Sequence, residues 1–144
     1  MKIEIKNRYV LGLASWLNEL QLSGKLSRTR TRFVNKLAER HKETDKFRIE
    51  LVDKYAKKDK NGKNVMDGEN VVLADVEAFS KEINELYDEV FTVGSEKEAY
   101  GLLKHIVLDT DYVFGPAKDA DGPERLAKLR QAEDYTEWCA VFEN

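Results

Sequence analysis

The chain opens with an alternation: Ile3 and Ile5 stand between Lys2, Glu4 and Lys6, the period-two pattern of a short strand or extended arm. The period then changes. Val10, Leu13, Ala14, Leu17 and Leu20 recur three and four apart with Trp16 beside them, which predicts an amphipathic helix. Asn7 is placed to cap its start, and Gly24, after Ser23, to stop it. Residues 26–55 hold no Pro or Gly, and Phe33, Leu37, His41, Thr44, Phe47 or Arg48, Leu51 and Tyr55 keep the helical spacing. Such a run far exceeds a typical globular helix of about 11–12 residues. It reads as two helices broken near residues 41–45, or as one long helix forming half of a hairpin or a dimer seam.

Two turn signals follow, Asp59-Lys60-Asn61-Gly62 and Met66-Asp67-Gly68-Glu69. Val65 and the Val71-Val72-Leu73 trio flank the second, so residues 63–73 suit a small β-hairpin. Val76, Phe79, Ile83, Leu86 and Val90 predict a further helix, with Asp75 and Glu77 supporting its N-terminal end. Ser95 and Glu98 fit a capping box that opens a helix through Leu102, Leu103, Ile106 and Val107. Residues 112–115 read as a loop or short strand. Asp121 or Gly122 is placed to cap a last helix with Pro123 in its first turn and Leu126, Leu129, Tyr135, Trp138 and Phe142 as its apolar face. The fold expected is mainly α: a compact helical bundle or helical hairpin with a small β-hairpin near residues 63–73, in one domain over residues 1–144.

Composition adds a compartment and a charge pattern. Cys139 is the only cysteine, so no internal disulfide and no thiolate zinc cage can form. The N-terminus has no apolar run of signal-peptide length, and no segment approaches the ~20 apolar residues of a membrane span. A cytoplasmic protein with no membrane partner is expected. Residues 1–63 carry 17 Lys/Arg against 8 Asp/Glu, a balance of +9; residues 64–144 carry 7 against 19, a balance of −12. This basic half and acidic half either form separate binding surfaces or face each other and neutralise in the fold.

Candidate chemistry is sparse. On a helix, Arg28, Arg32, Lys36 and Arg40 fall four residues apart in one basic stripe, with Arg30 beside them. Arrays of this kind bind phosphates or carboxylates. The alternative is a solvated face or one paired with the acidic half. His105, Asp109 and Asp111 make a weak metal pattern, because a single His with two carboxylates after an apolar run is common. A calcium loop fails at both Gly62 and Gly122: the first ligand position is Lys57 in one and Ala117 in the other. No nucleophile elbow, Walker loop or dinucleotide fingerprint is present. Cys139, beside Trp138, reads as a core residue. No catalytic residue, metal or cofactor is expected.

The order of features resembles a known group. A charged start, Met1-Lys2-Ile3-Glu4-Ile5, leads to a leucine-rich helix ending Leu20-Gln21-Leu22-Ser23-Gly24-Lys25. Ser27-Arg28-Thr29-Arg30-Thr31-Arg32-Phe33 follows, then a helix closing on Asp53-Lys54-Tyr55-Ala56-Lys57-Lys58-Asp59. This is similar to small uncharacterised proteins of phages and prophages of Gram-positive bacteria, a domain-of-unknown-function family. The likeness covers about residues 1–90, and Ser23 departs from it where the junction has a basic residue. The resemblance implies an infected or lysogenic bacterial cytoplasm and work in virion assembly or host interaction, with no activity to carry over. The function expected is a non-enzymatic phage accessory protein that binds a phage or host protein through Arg28, Arg30, Arg32, Lys36 and Arg40. Two alternatives stand beside it. One is a nucleic-acid-binding regulator using the Arg28–Arg40 stripe. The other is an inhibitor of a host defence system whose acidic face (Glu82, Glu85, Asp88, Glu89, Glu96, Glu98) mimics phosphate. A homo-oligomer through the long helix is compatible with all three.

Overall fold

A computed structural model describes residues 1–143. Strand β1 (Lys2–Lys6) runs directly into helix α1 (Asn7–Glu19), followed by α2 (Gly24–Tyr55), the short strands β2 (Met66–Asp67) and β3 (Asn70–Val71), and α3 (Val76–Asp88). Then come β4 (Val90–Gly94), α4 (Lys97–Leu108) and α5 (Gly122–Phe142). The fold is mainly α, with the expected hairpin at β2–β3, where Gly68 takes φ +63° in the turn.

β1 does form, and the alternation decides its faces: Ile3 and Ile5 are buried while Lys2, Glu4 and Lys6 are exposed. Its partner corrects the reading of Val90. Instead of ending α3, Val90 begins β4, which pairs antiparallel with β1 in the register Ile3↔Val93 and Ile5↔Phe91. Met1 and Ser95 exchange main-chain bonds of 2.8 Å each way, and the Asn7 N–H donates to the Glu89 carbonyl at 2.9 Å. The bonded pairs are therefore the odd-numbered residues, and Val90, Thr92 and Gly94 turn their main-chain groups away from β1.

Asn7 is not a cap. It is the first residue of α1, the cap position is Lys6 with no side-chain bond, and Asn7 is buried. Nor does Gly24 stop α1, which ends at Glu19; Gly24, at φ +58°, starts α2. The α1 terminus is closed from another helix: Arg30 Nη1 donates to the Leu17 and Leu20 carbonyls, each at 2.8 Å. α2 is one unbroken helix of 32 residues, about 48 Å long at 1.5 Å per residue. The candidate break near 41–45 is absent because nothing there interrupts the ladder; Thr44 Oγ1 bonds back to the Arg40 carbonyl at 3.0 Å.

The first half of α2 buries Thr29, Phe33, Val34 and Leu37 against α1 and α4, while the second half rests on α3, with Tyr55 edge-on to Phe79 at 6.3 Å. α3 is capped by Asp75, which accepts from the Ala78 N–H at 3.0 Å. The predicted Ser95–Glu98 box does not form: α4 starts from Glu96 with no side-chain cap, since the Ser95 main chain belongs to the ladder with Met1. Residues 112–115 form no strand; Tyr112 and Phe114 instead pack their rings around Trp16. Only the far half of α5 enters the core, with Trp138 and Phe142 fully buried and Leu126 and Leu129 exposed. Trp16 stacks on Trp138 at 5.4 Å and Phe114 on Tyr135 at 4.2 Å. One hydrophobic cluster thus gathers residues from β1, α1, α2, β4, α4 and α5.

Candidate partner-binding face

The two oppositely charged halves meet. Among the described residues, five ion pairs join a cation of the first 63 positions to a carboxylate of the acidic half: Arg8–Asp88 at 2.9 Å, Lys54–Glu82 at 2.8 Å, Lys6–Asp88 at 3.8 Å, Arg40–Glu89 at 3.9 Å, and Lys25–Glu98. Most of these side chains are well exposed, so each adds little to stability. Together they decide which charges remain for a partner. Of the six acidic residues of the phosphate-mimic reading, Glu82, Asp88, Glu89 and Glu98 are engaged in this way.

The basic stripe divides for the same reason. Arg40 is turned inward: its Nε donates to Asn7 Oδ1 at 2.7 Å, and its guanidinium lies 5.3 Å from the centre of the Phe91 ring. Arg30 holds the end of α1. Arg28, Arg32 and Lys36 are exposed and make no ion pair among the described residues. At four-residue spacing on a rigid helix they form a cationic ridge of about 12 Å from first to last Cα. So three of the five candidate residues stand together at the surface, and two are structural.

The cavity beside this ridge was not foreseen from sequence. It holds about 290 Å³ and is bordered by Arg32, Lys36, Thr29, Gly94 and Glu96, with Phe33, Val93 and Leu103 among its apolar walls. The only signal in the sequence was the Thr29-x-x-Arg32 spacing, which has no meaning until β4 is in place.

Other candidate chemistry stays dispersed. His105 Nδ1 lies 2.8 Å from Asp109 Oδ2 on the surface of α4, but no group of three or more His, Cys, Asp or Glu among the described residues is placed to hold a metal. Cys139 is a free, partly buried thiol. Its neighbour Tyr135 has its phenol pushed up chiefly by burial, and that hydroxyl donates to the Val107 carbonyl at 2.7 Å. A second polar knot joins α1 to α5, where Glu19 accepts from Tyr112, Gln131 and Lys128. The Tyr112 hydroxyl is the main reason its carboxyl is held below the usual range. No helix among the described residues is long and apolar enough to cross a membrane.

A family model described as a protein of unknown function, DUF1617, matches residues 1–100. The chain belongs to that family. No curated protein and no solved structure matches it. The span shared with other DUF1617 proteins runs from β1 into the first turn of α4. It therefore takes in the whole cationic ridge and the cavity walls from Ile3 to Ala99. α5, which closes the core through Trp138 and Phe142, lies beyond the matched part of this DUF1617 chain.

Proposed function

We propose that this DUF1617 protein is a non-enzymatic phage accessory protein that acts in the bacterial cytoplasm by binding another protein, in virion assembly or host interaction. The observation that carries the reading is the exposed triad Arg28, Arg32 and Lys36. These cations make no ion pair among the described residues, in a fold that pairs Lys6, Arg8, Lys25, Arg40 and Lys54 with the acidic half. A protein partner with an acidic patch meets that ridge without having to approach a long basic surface. A nucleic acid, by contrast, has to approach a chain of net charge −3, and general affinity for it usually accompanies a clearly basic domain.

The test is affinity capture of the tagged protein from phage-infected cells with and without nuclease, for the wild type and for Arg28→Glu/Arg32→Glu. The expected result is one phage or host protein that survives nuclease and is lost with the double variant. Recovery of nucleic acid alone, lost on nuclease treatment, overturns the protein-binding reading in favour of a regulator. Capture unaffected by the double variant removes the ridge from the interface.

A further inference from the structure

We propose that the cavity between α2, the free edge of β4 and the start of α4 is a binding site for a carboxylate carried on an apolar group. That is the chemistry of the C-terminal residue of a partner protein. The inference rests on the protein-binding reading above and names the part of the partner that is recognised.

Five kinds of donor converge on the cavity. Arg32 and Lys36 stand on its rim and provide a guanidinium fork and an ammonium, neither held by an ion pair among the described residues. Thr29 lines it while only 7% exposed, and its hydroxyl can both donate and accept at the cavity wall. Gly94 also lines the space, and the β1–β4 register turns its N–H away from β1 (β1 bonds to Ser95 and Val93 on either side). Finally, Glu96, the cap position of α4, makes no side-chain cap bond, which leaves first-turn N–H groups and the positive end of a 12-residue helix beside the same opening.

The remaining walls select among anions. Ile3, Phe33, Val93 and Leu103 are core residues that present apolar surface to the cavity, with Ala99 between them. A bare phosphate gains nothing from such walls, whereas an apolar side chain next to its own carboxylate satisfies both parts. The space, about 290 Å³, is on the scale of a single residue. Glu96 is the one acidic side chain among the described residues that line the cavity. It weakens any anion held there and discriminates against ligands with several charges.

The probe is N-acetyl-leucine, with N-acetyl-leucinamide and inorganic phosphate as comparison arms, each titrated into the 15N-labelled full chain and followed by amide shifts. Saturable shifts confined to the amides of Thr29, Arg32, Lys36 and residues 94–99 are expected with N-acetyl-leucine, and at least tenfold weaker binding with the other two. Arg32→Ala is expected to weaken binding tenfold or more, the usual worth of a hydrogen bond to a charged group. Thr29→Val should weaken it severalfold, Thr29→Ser should restore it, and Glu96→Gln should tighten it. Each variant is checked for folding by circular dichroism. Absence of a saturable shift, an equal response to the amide, or an equal response to phosphate overturns the proposal. Because the probe is a small molecule, failure here with partner capture intact sinks this site alone and leaves the cationic ridge standing.

Discussion

Arg40, near the middle of α2, donates from Nε to the Asn7 side-chain oxygen at 2.7 Å, although 33 residues separate them. Asn7 in turn donates from Nδ2 to the Leu86 carbonyl at 2.8 Å, and its own N–H donates to the Glu89 carbonyl at 2.9 Å. One buried amide thus ties the β1–α1 junction to α2 and to the end of α3, with every polar group engaged. Asn7→Ala leaves the Leu86 carbonyl and the Arg40 guanidinium without their partner, and the expected cost is about 2–4 kcal/mol. Arg40→Ala should cost somewhat less: it also gives up the Phe91 ring and two carboxylate contacts at 3.9 Å, but Arg40 is only partly buried, so solvent replaces part of what is lost. Urea denaturation of both single variants and the double variant measures the coupling. Simple additivity within about 0.3 kcal/mol refutes a shared network.

Arg30 and Arg28 differ by two positions and by role. Arg30 closes the end of α1 through two carbonyls, so Arg30→Ala is expected to lower stability by about 1–2 kcal/mol. Arg28→Ala and Arg32→Ala remove exposed side chains that make no ion pair among the described residues, and should stay within about 0.5 kcal/mol of the wild type. Thermal melts of the three variants decide the matter. Equal losses for all three contradict the division of the stripe into structural and binding members.

That division marks the limit of what the sequence disclosed. The alternation at Ile3 and Ile5, which allows a strand or an extended arm, forms a strand, and the hairpin around Gly68 forms; Asp75, expected to support the start of its helix, does so as the cap. Val90 was misread because it continues the spacing Val76, Phe79, Ile83, Leu86, while the β1 strand that claims it lies more than 80 residues away. Arg30 and Arg40 look like Arg28 and Arg32 in sequence; only the α1 carbonyls and Asn7, brought near by folding, tell them apart. Asn7 does mark the start of α1, but the tertiary network takes its side chain, so it is the first helical residue and not the cap. The cavity was invisible for a related reason: Thr29, Gly94 and the start of α4 meet only through long-range packing.

Gly12 lies on the face of α1 that α5 crosses. A methyl group there would come within 3.1 Å of Trp138 Cζ2 and 3.7 Å of Asp134 Oδ2. Trp138 is fully buried and stacked on Trp16, so its ring has little room to withdraw. Alanine normally gains about 1 kcal/mol over glycine in a helix interior, but overpacking a tight contact costs about 1–3 kcal/mol. Gly12→Ala is therefore expected to be net destabilising, with altered tryptophan fluorescence. A raised melting temperature would show that α5 shifts freely on α1.

The Glu19 knot gives a dependence on pH. Its carboxylate accepts from the Tyr112 hydroxyl at 2.6 Å, from Gln131 Nε2 at 3.2 Å and from Lys128 Nζ at 3.4 Å. The Tyr112 bond foremost, with the charge of Lys128, holds its pKa below the ordinary 4.5 against the opposing effect of burial. A carboxyl whose folded pKa is depressed contributes stability that is fully present above its unfolded value and is lost as pH falls through the folded value. Glu19 is 39% exposed in its side chain, so solvent screening keeps the contribution to about 1 kcal/mol or less. Glu19→Gln should accordingly be slightly less stable than the wild type at pH 7, and the gap should close as pH falls below 4.5. Chemical denaturation of both proteins across that range measures it. A gap that persists unchanged at pH 3 would mean that the carboxylate's charge plays no part in joining α1 to α5.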